Sequence, residues 1–213
     1  MVRLAVAPAA AALLLAGCGG SKHAATTTTP GGCVPVRAPA GHARTAPRPK
    51  AKLDPKLTYD VTIATNCGDF TIRLAPAEAP NATSSFASLV RRGFYDRTVF
   101  HRIVPGFVVQ GGDPTGTGTG GPGYTTVDRP PAGAKYTHGV VAMAKTSVQP
   151  PGTAGSQFFV VTGANAALTP DYAIVGSVSS GLAVVDRIGR LGDANGQPTE
   201  TVELEHATLR SST

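Results

Sequence analysis

The chain contains no tryptophan, and several other components are scarce: of its 213 residues, 6% are aromatic, 15% are charged and 3 are cysteine. The low charged fraction, together with 41% hydrophobic residues, excludes a wholly disordered chain and is enough for one domain with a core. No close group of Cys and His residues occurs, so we expect no metal site. The longest apolar run, residues 4–16, is too short to cross a membrane.

The net charge of +6 is concentrated near the N-terminus. Residues 19–56 hold seven Lys and Arg residues against the single acid Asp54, whereas residues 57–213 hold 11 basic and 12 acidic residues. The part of the chain that can fold is therefore not basic, and we expect no nucleic-acid partner.

The first 18 residues predict export. After a basic residue, the apolar run ends in Leu15-Ala16-Gly17-Cys18, which resembles the bacterial lipobox, where cleavage occurs before a lipidated Cys. We therefore predict a signal peptide over residues 1–17 and an extracytoplasmic protein that lipidated Cys18 anchors to the cell membrane. An ordinary signal peptide that happens to contain Cys18 is the alternative.

Residues 18–56 are rich in Pro, Thr and Ala, with scattered basic residues. They predict a disordered tether, because they carry too little apolar surface to fold. Besides Cys18, two cysteines remain, and we predict that Cys33 and Cys67 form a disulfide in an oxidising compartment. Two separate thiols are the alternative, since spacing alone does not fix the pairing.

Residues 57–213 have the pattern of a mainly β domain. Two alternating apolar runs around Gly68 predict a hairpin. A helix is predicted over residues 81–92, with Asn81 near its cap and Gly93 just beyond its end, and a second helix is predicted from about 182 to 190. Short apolar runs predict strands at residues 99–104, 107–109, 140–144, 158–161 and 173–178, and a last strand begins at 202.

Two motifs hold the candidate site. The first is Phe-His-Arg-Ile-Val-Pro-Gly-Phe-Val-Val-Gln-Gly-Gly-Asp at residues 100–113, and the second is Gly-Ser-Gln-Phe-Phe at 155–159. Alternation places Arg102, Val108 and Gln110 on one side of neighbouring strands. A cation and an amide on an apolar surface are typical of a small binding pocket.

These two motifs, in this order, resemble those of the cyclophilins, which are peptidyl-prolyl cis-trans isomerases. The likeness covers about residues 58–210 and implies a closed eight-stranded antiparallel β-barrel capped by two α-helices, as one domain over residues 57–213. It implies catalysis of Xaa-Pro bond rotation, here in exported proteins that fold outside the cytoplasmic membrane. Residues 112–124, which we call the glycine-rich loop, look like the corresponding loop of bacterial members.

The resemblance also implies roles for individual residues. Arg102, Gln110 and Phe107 take the places of catalytic residues. The residues implied to bind substrate are Val108, Ala144, Gln157, Phe159, Leu168 and Tyr172. The absence of a Trp near Leu168, and Lys145 in the place of an Asn, imply weak or no cyclosporin binding.

The implied reaction needs no cofactor. Rotation about a peptide bond costs roughly 18–20 kcal/mol because of amide resonance. In the twisted transition state the nitrogen lone pair can accept a hydrogen bond, and the permanently charged Arg102 can donate it. We therefore expect no cofactor and no metal, with proline-containing polypeptides as partners, and we expect a monomer.

Two other functions remain as alternatives. Gly116-x-Gly118-x-x-Gly121 fits a dinucleotide-binding fingerprint by letter, although Pro122 follows where a helix would have to begin. A non-catalytic domain of the same fold would instead be a tethered proline-binding or chaperone-like module. The presence of both Arg102 and Gln110 favours catalysis.

Overall fold

The structure, a computed structural model, describes Met1 and residues 32–213. The predicted signal peptide, Cys18 and the first part of the tether lie outside the described residues and stay predictions. Among the described residues, no helix is both long enough and apolar enough to cross a bilayer.

The predicted hairpin is confirmed and lies inside the sheet, with a strand on either side. Strands β1 (Thr58–Thr65) and β2 (Gly68–Leu74) pair in antiparallel fashion. Their alternating apolar side chains, Val61, Ile63, Phe70 and Ile72, are at most 1% exposed. Because side chains alternate between the two faces of a strand, these four residues lie on one face of the hairpin, and that face packs against the main core.

The remaining strands follow as β3 (Thr98–Val99), β4 (Arg102–Val104), β5 (Val108–Gly111), β6 (Thr126–Val127), β7 (Val140–Met143), β8 (Thr153–Ala154), β9 (Phe158–Val161), β10 (Ile174–Ser180) and β11 (Glu203–Ser212). Nine of them form one sheet in the order β3-β11-β1-β2-β10-β7-β9-β5-β4, and β6 pairs with β8 separately. Every pairing is antiparallel.

The prediction of a closed eight-stranded barrel was wrong. The nine-stranded sheet curls into an open half-barrel whose end strands, β3 and β4, do not pair with each other. The reason lies in residues 99–104, which the apolar pattern predicted to be one strand. The backbone instead leaves the ladder at Phe100 and His101, so this run supplies both ends of the sheet.

Two helices pack against the sheet in the described residues, as predicted. Helix α1 (Pro80–Arg91) buries its apolar face, and Gly93, at φ +63°, follows its end. The predicted cap is different, because Asn81 lies within the first turn. A distant carboxylate, that of Asp128, accepts a 2.6 Å hydrogen bond from the Ala82 N–H at the start of the helix. Helix α2 (Leu182–Ile188) ends slightly earlier than predicted.

The described part of the predicted tether is not free. Residues 33–56, which we call the strap, contain no helix or strand, but they contact the domain along their length. Cys33 is 1% exposed and forms the predicted disulfide with Cys67 in the turn between β1 and β2. Composition predicted disorder because the strap is poor in large apolar residues. Main-chain hydrogen bonds and the disulfide hold it instead.

Candidate active site

The two sequence motifs lie side by side on strands β4, β5 and β9. The antiparallel register places Arg102 opposite Gln110, and Gln110 opposite Phe159. On β7, Ala142 lies opposite Phe159 on its other side. Residues from separate parts of the sequence therefore form one row across four strands.

The same strands separate two apolar clusters. Val109, Val141 and Val160 belong to the main core beneath the sheet. The alternate residues Val108 and Phe159 point the other way, into a smaller cluster on the opposite face. That smaller cluster forms the floor of a surface cavity.

The cavity has a volume of about 220 Å³ and gathers all of the predicted catalytic and substrate-binding residues except Gln157. It is lined by Arg102, Phe107, Val108, Gln110, Ala144, Lys145, Phe159, Leu168 and Tyr172. Apolar side chains form one part of its lining and the polar groups of Arg102, Gln110 and Lys145 the other, which suits a pyrrolidine ring with a peptide bond beside it. A separate cavity of about 380 Å³, around Pro130 and Pro131, contains none of the predicted residues.

Arg102 lies at the mouth of the cavity with its guanidinium group available for hydrogen bonding. It is half-buried, and its Cζ atom lies 5.9 Å from the centre of the Phe107 ring. None of the four ion pairs between described residues includes it. The aromatic face orients the planar fork and leaves its N–H groups to a ligand.

Gln157 lies next to the cavity and holds Gln110. The Gln110 Nε2 donates to the Gln157 Oε1 at 3.0 Å. The Gln157 Nε2 in turn donates to the carbonyl oxygens of Gly118 (2.9 Å) and Gly120 (3.0 Å) in the glycine-rich loop. Both amide side chains are thus oriented by a chain of hydrogen bonds that begins at the loop.

Asp113 organises that loop, a role that the sequence analysis did not assign. Its carboxylate, in a residue with 0% exposure, accepts hydrogen bonds from the Thr115 N–H (2.7 Å) and hydroxyl (2.8 Å) and from the N–H groups of Gly118 (2.6 Å) and Gly120 (3.0 Å). Burial alone raises the pKa of Asp113, but these four donors together lower it below its ordinary value. The carboxylate is therefore ionised at neutral pH and fixes the loop.

Tyr136 is a second residue that the sequence analysis missed. It is 1% exposed, and its hydroxyl donates to the Tyr172 carbonyl (2.8 Å) and accepts from the Tyr172 N–H (3.0 Å). Tyr172 also packs edge-on against Phe159, with ring centres 5.5 Å apart. Tyr136 lies in a loop without strand alternation, so its aromatic character was the only signal.

His101, next to Arg102 in sequence, has no surroundings among the described residues that would make it an acid or a base in catalysis. Burial lowers the pKa of His101, and the nearby Asp113 offsets this only in part. The imidazole is therefore neutral at pH 7, and neither ring nitrogen has a hydrogen-bond partner among the described residues. Bond rotation moves no proton, so the absence of a charged base here is consistent with that chemistry.

The dinucleotide fingerprint is not supported. Within the described residues no helix begins at Gly121, and the next element is the short strand β6. The phosphate-binding geometry of that motif requires a helix N-terminus at this position.

Comparisons with known proteins identify the family of the chain. The family model described as "Cyclophilin type peptidyl-prolyl cis-trans isomerase/CLD" matches residues 60–209. Peptidyl-prolyl cis-trans isomerase-like 1 of Gibberella zeae is 39% identical over 158 residues, which is 72% of this chain and 96% of the relative. The protein of the same name from Aspergillus oryzae is 41% identical over 159 residues, with the same two coverages.

A solved structure is also similar. A cyclophilin-type peptidyl-prolyl cis-trans isomerase of Cryptosporidium parvum superposes with a TM-score of 0.67 at 32% identity, covering 73% of this chain and 99% of the other. A second structure of that protein, obtained in the presence of the dipeptide Ala-Pro, gives a TM-score of 0.66 at 33% identity, covering 72% of this chain and 99% of the other. The chain therefore belongs to the cyclophilin family and is a peptidyl-prolyl cis-trans isomerase.

Proposed function

We propose that this isomerase is the bacterial lipoprotein form of the family and accelerates Xaa-Pro rotation in exported proteins as they fold outside the cytoplasmic membrane. The single observation that carries this is Leu15-Ala16-Gly17-Cys18 at the end of a short apolar run. The buried disulfide between Cys33 and Cys67 supports it, because such bonds persist in oxidising compartments outside the cytoplasm. Uncatalysed Xaa-Pro isomerisation takes tens of seconds, which is slow enough to limit folding there.

Arg102 is the catalytic donor in this proposal. The proline ring enters the apolar cavity beside Phe107 and Phe159, and the twisted peptide bond then lies at the cavity mouth, where the guanidinium is held. A donor that meets the nitrogen lone pair only after resonance is lost stabilises the transition state more than the ground state. A stabilisation of roughly 7 kcal/mol would accelerate rotation about 10⁵-fold.

The other site residues position the substrate. Gln110, held by Gln157, offers its amide to the substrate backbone beside the cavity. Val108 and Leu168 complete the apolar wall. Ala144 borders both the cavity and the adjoining groove, where the residues that precede the proline would lie.

The alternative, a non-catalytic proline-binding module, would need the cavity but not the arginine. Arg102 lines the cavity and forms no ion pair among the described residues, so its N–H groups are available to a substrate. This favours catalysis over binding alone.

The anchor is tested by expressing the full chain and its Cys18→Ala variant in a bacterium and separating membrane from soluble fractions. We expect the wild-type chain in the membrane fraction, with a mass increase on the peptide that begins at Cys18, and the variant without that modification. A Ser21→Ala variant is the matched control and should behave as wild type. Equal distribution of all three chains, with an unmodified Cys18, would contradict the anchor.

A further inference from the structure

The strap lies along the outer side of the glycine-rich loop. The His42 N–H donates to the Pro114 carbonyl at 3.0 Å, near the start of the loop. The Ala46 N–H donates to the Pro122 carbonyl, also at 3.0 Å, near its end. The strap is therefore hydrogen-bonded to the loop at two points, which are eight residues apart in the loop.

Two strap residues make these contacts specific. Gly41 packs so tightly on the loop that an added Cβ would collide with the Thr115 carbonyl oxygen. Arg48 donates to the Thr125 carbonyl at 2.5 Å, and its Cζ lies 5.6 Å from the centre of the Tyr124 ring. A side chain added at Gly41 would displace the loop, and loss of the Arg48 side chain would release it.

The strap is itself anchored at both ends. The disulfide with Cys67 fixes its first residue, and the Leu53 N–H donates to the Ser84 hydroxyl at 2.9 Å near its end. In the middle, Arg44 donates to the Phe94 carbonyl at 2.6 Å. Because the strap is attached to the domain at both ends, its middle part stays close to the glycine-rich loop, which gives a high effective concentration. Hydrogen bonds between strap and loop that would be weak between separate molecules are therefore maintained.

The inner side of the same loop faces the substrate. Residues 118–125 line a groove of about 670 Å³ that shares Gln110, Ala144 and Lys145 with the proline cavity. The loop carbonyls of Gly118 and Gly120 also hold Gln157, and through it Gln110. A displacement of the loop thus changes the groove directly, whereas it reaches Gln110 only indirectly, through Gln157.

We propose that the strap is a positioning segment for the substrate groove, with Gly41 and Arg48 as its positioning residues. It sets the affinity for polypeptides whose residues before the proline fill the groove, and it acts much less on the proline cavity itself. The family match begins at residue 60, so the strap lies outside the residues that the family model matches. The inference rests on the groove assignment made under the proposed function.

The test compares two substrates on the oxidised full chain. One peptide carries four residues before the Xaa-Pro bond and the other is a minimal Ala-Pro peptide, with cis/trans exchange rates and Kd values measured by NMR. Gly41→Val and Arg48→Ala are the test variants. Gly133→Val, where an added Cβ meets nothing within 4 Å, and Lys50→Ala, in the exposed part of the strap, are the matched controls.

We expect Gly41→Val to weaken binding and kcat/KM for the long peptide about tenfold, the equivalent of about one hydrogen bond, and Arg48→Ala to weaken them about threefold. The minimal peptide should stay within about twofold of wild type, and the Gly118 and Gly120 amide signals should shift in both variants. Both controls should match wild type for both peptides.

Wild-type values with the long peptide in both test variants would overturn the proposal. An equal loss for the two peptides would also overturn it, because the strap would then support the whole domain rather than the groove. The milder Arg48→Ala variant preserves the test if Gly41→Val does not fold. Failure of the isomerase site is distinguishable, because it would remove exchange catalysis by the wild-type chain while the Kd values still report on the strap.

Discussion

Replacing Asp113 by asparagine is expected to destabilise the domain through the glycine-rich loop. The carboxylate accepts four hydrogen bonds, two on each oxygen. Asparagine has an NH2 group in place of one of those oxygens, and this group, itself a donor, would face two other donors. Hydrogen bonds to a charged acceptor contribute about 1.5–3 kcal/mol each, so the loss of two at the lower value removes about 3 kcal/mol of unfolding free energy.

The assay is thermal and urea unfolding of the full oxidised chain. A loss of about 3 kcal/mol corresponds to a fall in Tm of roughly 6–12 °C for a domain of this size. Asp54→Asn is the control, because Asp54 is exposed and accepts a local hydrogen bond from the Lys56 N–H. It should change the unfolding free energy by less than about 0.5 kcal/mol.

The same change predicts a pH dependence. The pKa of Asp113 is lower in the folded protein than its ordinary value of 3.8. Its contribution to stability is therefore complete above that value and is lost as the pH falls through the lowered pKa. The difference in unfolding free energy between wild type and Asp113→Asn should be constant from about pH 5 to 8 and should shrink below about pH 4. The reasoning would be refuted if Asp113→Asn had the same Tm as Asp54→Asn and if its Gly118 and Gly120 amide hydrogens exchanged with solvent at wild-type rates.

Three further changes follow from the structure. Phe159→Leu removes the edge-on contact with Tyr172 and part of the cavity wall, so KM in the exchange assay should rise about fivefold; an unchanged KM would exclude Phe159 from the pocket. Cys33→Ser opens a disulfide across a separation of 34 residues and should lower the unfolding free energy by about 3–4 kcal/mol in urea, whereas an unchanged midpoint would show that the bond is not formed. Lys145 and Arg102 line the cavity with no acidic residue, so a Glu-Pro peptide should react about threefold faster than a Lys-Pro peptide at low salt, and Lys145→Gln should reduce this preference. The prediction for Lys145 would be contradicted if the preference for the Glu-Pro peptide were unchanged in Lys145→Gln or at high salt.

Elements set by local pattern could be predicted from the sequence. The alternation of Val61 with Ile63 is a property of neighbouring residues, and so are the helical spacing and the terminal Gly93 of α1. Features set by distant partners could not be predicted. Asp128, far along the chain, satisfies the start of α1. Likewise, the break at Phe100 depends on where the flanking strands find partners.

The strap shows the same limit more strongly. Its composition indicates too little apolar surface to fold alone, and the structure agrees that it forms no helix or strand. Main-chain donors such as the N–H of His42, which do not depend on residue type, hold it to the loop. Composition cannot detect contacts of this kind.

For the site, the two motifs pointed to one region, and strand register brings their residues together. Arg102, Gln110 and Phe159 lie opposite one another, as antiparallel pairing allows. Tyr136 and Asp113 were missed as contributors because each acts through hydrogen bonds to other residues of the site. Asp113 ends the first motif, but neither that motif nor the residues around Tyr136 indicate which hydrogen bonds these side chains form.

The central claim is that Arg102 accelerates bond rotation at this cavity. The most direct test is the cis/trans exchange rate of a short Xaa-Pro peptide, measured by NMR with the full wild-type chain and with Arg102→Ala. We predict strong acceleration by the wild type and a fall of about 100-fold or more in the variant, comparable to the loss of one preorganised transition-state donor, with the Tm close to wild type. A folded Arg102→Ala variant that retains the wild-type rate would contradict the account.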